Sequence, residues 1–105
     1  MFVGRYHGGG PGVEYDLEVG ADQGIRVTAT ITVFADGAEI CYSGEWRRTG
    51  HNAAVCVLGR YGKAVFRDGK QQGDGLSYGE MIRTMRWDSE EDCLFLGSIR
   101  LVRID

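Results

Sequence analysis

Proline is nearly missing from this chain: Pro11 is the single one in 105 residues. Long apolar runs are missing too. No stretch approaches the roughly 18 residues of a membrane-spanning helix, which excludes such a span. A basic excess is also lacking, with 12 Lys and Arg against 15 Asp and Glu and a formal charge of −3. Phosphate recognition needs a concentrated basic face, so nucleic acid is not an expected partner. The three cysteines, Cys41, Cys56 and Cys93, form an odd set without C-x-x-C spacing. They read as reduced thiols of an intracellular protein, the alternative being one disulfide and a spare thiol. Met1 to Arg5 shows neither a charged leader start nor a long apolar core, so the expected location is cytoplasmic.

Glycine is abundant. The 17 glycines are roughly twice the average usage of about 7%. Without low-complexity repetition, that many glycines suit the tight turns and bulges of an all-β chain. The length suits one domain.

The clearest signal lies between Ile25 and Trp46. Ile25, Val27, Ala29, Ile31 and Val33 share one parity, and Arg26, Thr28, Thr30 and Thr32 share the other. A period of two sets the aliphatic groups on one face of a pleated strand. The stiff, β-branched threonines suit the half-solvated face. Ala35 to Ala38 supplies a turn through Asp36-Gly37, a pair that tolerates positive φ. The return arm, Glu39 to Trp46, alternates Ile40, Tyr42, Gly44 and Trp46 against Glu39, Cys41, Ser43 and Glu45.

Around this hairpin, Met1 to His7 reads as a first strand broken by Gly8 to Gly12. Val13 to Val19 alternates, with Val13, Tyr15, Leu17 and Val19 inward. Gly20 to Gly24 is a turn, and Arg47 to Asn52 a polar loop. Ala53 to Leu58 is apolar on both parities, as a strand covered on both sides or lining a pocket would be. Gly59 to Gly62 reads as a turn, Lys63 to Arg67 as a short partner strand, and Asp68 to Gly75 as a polar loop. Ser77 to Trp87 admits a helix or a strand, and its β-rich neighbours favour the strand. Asp88 to Asp92 is a turn, and Cys93 to Ile104 a long last strand with a bulge at Gly97.

About eight short strands, each following its neighbour directly, suggest a meander. Closing the sheet removes its edges. The expected fold is therefore all-β: a small antiparallel up-and-down barrel or half-barrel, with a β-sandwich as the alternative.

Few motifs carry chemistry. Gly75-Leu76-Ser77-Tyr78-Gly79 matches G-x-S-x-G, but a nucleophile elbow needs a strand-to-helix turn and a histidine after the serine. His7 and His51 both precede it, so the glycines read as flanking a β-turn. Gly8 to Gly12 lacks the Gly-Lys-Ser/Thr of a phosphate loop. The two histidines and the cysteines show no ligand spacing, and Asp88 to Asp92 lacks the order of a calcium loop. No catalytic residue, metal or cofactor is expected.

The aromatics offer more. Tyr15, Tyr42 and Trp46 share the inward parity of their strands, and Trp87 can join them. In a closed barrel they either fill the core or line a cavity for a small apolar ligand. These four are the candidate ligand-binding residues.

Gly4-Arg5-Tyr6 on the first strand, with Arg100 and Arg103 on the last, resembles the closure of lipocalin-like barrels, the calycins. There a Gly-x-Trp near the start packs under an arginine from the final strand. The resemblance puts Tyr6 in the tryptophan's place and Arg100 or Arg103 in the arginine's. Tyr42 to Trp46 is similar to the Gly-x-Trp ending a middle strand in bacterial lipocalin-like envelope domains. What the resemblance implies is a barrel that binds something, with no catalytic residues.

Two functional expectations follow. One is a non-catalytic binding barrel that takes an apolar or aromatic small molecule at its open end, beside the glycine-rich first loop. The other is an interaction module, such as a homo-oligomer, inhibitor or accessory protein. It rests on the doubly apolar strand Ala53 to Leu58 and on Leu94, Phe95 and Leu96, surface that a small barrel can leave uncovered.

Overall fold

A computed structural model describes residues 2–33, 36–67 and 70–104, with side chains described outside 33–36, 60–61 and 63–80. Its eight strands are β1 (Gly4–Gly10), β2 (Val13–Val19), β3 (Gly24–Val33), β4 (Asp36–Gly50), β5 (Ala53–Arg67), β6 (Lys70–Asp88), β7 (Cys93–Leu96) and β8 (Ile99–Arg103). Each pairs antiparallel with the next, and β8 returns to β1, closing an up-and-down barrel. Among the described residues there is no helix. Closure rests on a short seam, Tyr6, His7 and Gly8 opposite Arg103, Val102 and Leu101. The Ile104 N–H extends it by donating to the Arg5 carbonyl at 2.9 Å.

The alternation in sequence becomes the inside and outside of the barrel. On β2, Leu17 and Val19 are buried while Glu14, Asp16 and Glu18 face water. On β3, Ile25, Val27 and Ala29 are buried. Ile25 and Val27 join Leu17, Val19, Tyr6, Ala54, Cys56, Leu58, Met85, Leu94, Leu96 and Leu101 in one core. Fully burying one such aliphatic side chain contributes about 1.5–3 kcal/mol.

The strands are unequal in length, and that inequality shapes the molecule. β7 pairs with β6 only over Met85 to Asp88, while β5 and β6 stay paired as far as Arg67 and Lys70. Beyond Leu58 and Met81 this hairpin continues for roughly nine residues, or ~30 Å at the usual strand rise. The greatest extent of the molecule is 45 Å. Ile31 has the parity of the buried Ile25 and Val27, yet it is 38% exposed. It lies towards the β3–β4 turn, where the strands run on past the core.

Several local expectations are corrected. Gly59 to Gly62 is not a turn. β5 runs straight through, because Arg60 to Phe66 pairs with β4 on one side and β6 on the other. Gly59 is skipped in both ladders, Leu58 and Arg60 being the paired residues on either side of it. It forms a bulge, a device common at barrel rims. Lys63 to Arg67 is thus the far part of β5 and no separate strand. Arg47 to Gly50 belongs to β4, which leaves His51-Asn52 as the turn. Asp36 and Gly37 are paired residues of β4, opposite Val33 and Thr32. Phe34 and Ala35, which join the two arms, lie outside the described residues.

Gly8, Gly9 and Gly10 form ladder positions of β1 opposite Tyr15, Glu14 and Val13, so the glycine-rich loop shrinks to a turn at Pro11-Gly12. Of the loop expected over Asp68 to Gly75, Lys70 onward is strand, and Asp68 and Gly69 lie outside the described residues. Ser77 to Trp87 is strand, within β6. The last expected strand is two: Gly97, at φ +60°, turns the chain between β7 and β8 where a bulge was expected. Only glycine adopts that left-handed conformation without steric cost.

Candidate functional site

The two ends of the barrel differ in what fills them. One end carries the start of β1, the β2–β3, β4–β5 and β6–β7 turns, and the C-terminal residues of β8. There Tyr6 is fully buried. Its hydroxyl donates to the Phe2 carbonyl at 2.7 Å and accepts from Arg103 Nη2 at 3.0 Å. Arg103 Nη1 donates to the Val3 carbonyl at 3.1 Å. The same guanidinium stands 5.2 Å from the Tyr6 ring centroid and 5.5 Å from that of Trp87. Tyr6 and Trp87 meet edge to face at 6.4 Å. Trp46 packs against Phe2 at 5.9 Å, and its Nε1–H donates to the Gly20 carbonyl at 2.9 Å. This end is a plug.

The plug settles which arginine caps the first strand. Arg103 does so, while Arg100 lies on the outside with Nε 3.3 Å from a Glu91 carboxylate oxygen. The resemblance leaves Arg100 and Arg103 as alternatives.

The other end holds the β1–β2 and β7–β8 turns and the projecting hairpins. A cavity of about 270 Å³ opens here. Val27, Leu58 and Leu96 form its apolar floor, and Tyr15, Tyr42 and Met81 stand around it. Gly97, Ser98 and Ile99 line it as well, and so does Arg83, which adjoins the Thr84 that holds the Gly97 N–H. An eight-stranded barrel has an interior just wide enough to be packed with side chains or to hold one small ligand. This barrel is packed at one end and leaves a cavity at the other.

The four aromatic candidates therefore divide. Tyr15 and Tyr42 share the cavity. Trp46 and Trp87 lie in the plug, away from it, and their inward parity serves packing. The strand pattern gave all four the same parity and could not say towards which end each one lies. Arg83 was missed as a candidate. Its signal was available: it has the parity of Met81, Met85 and Trp87, an arginine on an otherwise apolar face.

The doubly apolar strand is accounted for within the barrel. Ala54, Cys56 and Leu58 are buried, and Ala53, Val55 and Val57 are half-buried on the outer face. Phe95 lies under the Arg86 guanidinium, 4.5 Å from ring centroid to Cζ. All three cysteines are free thiols. Burial pushes the Cys56 thiol up, against the opposing pull of the Arg83 backbone N–H and its charge.

The remaining motifs take structural places. Gly75 to Tyr78 pairs along β5, so neither the elbow nor the expected β-turn forms there. The Asp88 carboxylate accepts from the Glu90 and Glu91 backbone N–H groups at 3.0 and 3.2 Å, organising the acidic turn. His7 and Asp16 pair across β1 and β2 on the outer face, Nδ1 to Oδ1 2.9 Å. Among the described residues, no three or more His, Cys, Asp or Glu gather where a metal ion could be held. Two further depressions, of about 330 and 190 Å³, lie against polar groups of the outer face, including Glu18 and Arg26. No protein-family model, curated protein or solved structure matches the chain.

Proposed function

We propose that this protein is a non-catalytic binding barrel of lipocalin-like design, taking one apolar or aromatic small molecule at its open end. The observation that carries this reading is the cavity of about 270 Å³ with an aliphatic floor and two tyrosines beside it. Small-molecule sites are concave, mostly apolar and furnished with few polar groups. The plug supports the lipocalin-like design, because Tyr6 under Arg103 places an aromatic of the first strand beneath an arginine of the last.

Titration with the neutral fluorophore N-phenylnaphthylamine tests the proposal. Saturable emission at one probe per chain is expected. Tyr42→Ala should weaken it severalfold, while Trp46→Phe, in the plug, should leave it in place. Absence of saturation, or equal effects of the two substitutions, would count against the site.

One observation favours a second reading, association between copies. β6 continues from Lys70 towards Thr84 without β7 along its other side, and Ile82 on it is 57% exposed. Unpaired strand edges template pairing with another chain. Sedimentation equilibrium at micromolar concentration tests this, a monomer at all concentrations being the result that removes it.

A further inference from the structure

We infer that the open-end cavity prefers an apolar molecule bearing one anionic group, with Arg83 as the residue that reads the charge. This rests on the binding reading above and narrows it to a class of ligand. The cavity is apolar except at its edge, and the guanidinium at that edge has the parity of core residues. Arg83 stands opposite Cys56 in the β5–β6 ladder, one of the most buried residues in the molecule. It escapes burial because β7 does not extend this far. The last β6–β7 pair is Met85 with Leu96, and the Gly97 N–H donates to the Thr84 carbonyl. Arg83 is the next residue along, where the wall stops.

Its hydrogen bonding is sparse. Nη1 donates to the carbonyl of its own neighbour, Ile82, at 2.9 Å. Among the described residues no carboxylate pairs with it, although Arg86 and Arg100 each have an acid within 4 Å. A planar guanidinium has five N–H donors and binds carboxylate or sulfonate oxygens in a fork. A cation held at the lip of an apolar chamber, with donors to spare, suits a molecule whose body enters and whose charge stays at the rim. The space equals that of about nine water molecules at ~30 Å³ each. That suits an aromatic or short aliphatic monoanion and excludes a folded macromolecule.

The test compares two probes that differ by one sulfonate, N-phenylnaphthylamine and anilinonaphthalene sulfonate, on the full chain. The sulfonate should bind about five- to tenfold more tightly, the worth of a charge-assisted hydrogen bond at a partly open site. Raised salt should shrink that ratio. Arg83→Met should bring the ratio close to one, and Arg83→Lys should keep part of it. Arg86→Met, which removes an equal charge from the outer face of the same strand, should keep all of it. Circular dichroism melts check that each variant folds. If the neutral probe binds and the sulfonate gains nothing, or if Arg83→Met preserves the ratio, the charge preference is overturned and the apolar site stands. If neither probe binds the native protein, both readings fall.

Discussion

The two ends of this barrel use the same chemical parts to opposite effect. Each sets aromatic side chains near an arginine: Tyr6 and Trp87 around Arg103, beside Phe2 and Trp46, at one end, and Tyr15 and Tyr42 with Arg83 at the other. At the plugged end the guanidinium lies over both rings, and its donors go to Val3 and to the Tyr6 hydroxyl. At the open end the guanidinium donates, among the described residues, to its neighbour's carbonyl, and a cavity stands beside Tyr15 and Tyr42. The difference is made by chain length. Phe2 and the last residues of β8 fold over the plug, whereas β7 and β8 turn back at Gly97-Ser98 before covering Arg83.

If the plug is structural and the open end is not, substitutions should divide accordingly. The largest effect is expected for Tyr6→Ala, which empties a fully buried aromatic position and should cost about 3–5 kcal/mol. Tyr42→Ala should cost much less stability and act mainly on probe binding. Urea unfolding of both variants measures the contrast, and equal losses would erase it.

The arginines form the next comparison. Arg103→Met removes hydrogen bonds to Val3 and Tyr6 and a cation over two rings, together about 1–2 kcal/mol. Arg83→Met should stay within about 0.5 kcal/mol of the native protein. A loss at Arg83 matching that at Arg103 would make it part of the scaffold.

Much of this architecture was legible in the chain, and the gaps have physical causes. The alternation from Val13 to Val33 was visible because one face of each strand meets the core and the other meets water. The number of strands agrees with expectation although their membership does not. Lys63 to Arg67 merges into β5 while Cys93 to Ile104 divides at Gly97. Glycine is ambiguous in sequence, since Gly59 as a bulge and Gly97 as a turn look alike. Ladder pairing on both sides decides the first, and a left-handed φ of +60° decides the second. The candidate site was half legible. Parity shows that a side chain points inward, but its level along the barrel depends on register between strands, so Tyr42 and Trp46 could not be told apart.

The thiols should divide by burial. Cys41 is half-buried on the outer parity of β4, with the Thr28 hydroxyl 3.8 Å from its sulfur. Cys56 and Cys93 are buried. Reactivity belongs to the thiolate, and burial disfavours that form at Cys56. A chromogenic disulfide should modify Cys41 first, leaving Cys56 and Cys93 until the chain unfolds. Fast reaction at Cys56 would mean that the open end breathes widely enough to admit reagent to the core.

The smallest effect concerns His7 and Asp16, on the outside wall between the two ends. The pKa of His7 is raised above its usual 6.5, chiefly by the hydrogen bond to Asp16; desolvation opposes this, and the charges of Asp16 and Glu14 add smaller increases. A raised value in the folded state means that folding favours the protonated imidazole. The pair's stabilisation is therefore complete below pH 6.5 and fades as pH rises through the folded value. The imidazole resonances of His7 should titrate above 6.5, and Asp16→Asn should move the midpoint down. Exposure and salt screening keep the consequence for global stability small. Unfolding midpoints measured on either side of this window should barely differ, unless the pair bears on the nearby β1–β8 seam. A drop much larger than an exposed pair can supply would show that the barrel closes less firmly at this seam than its hydrogen bonds suggest.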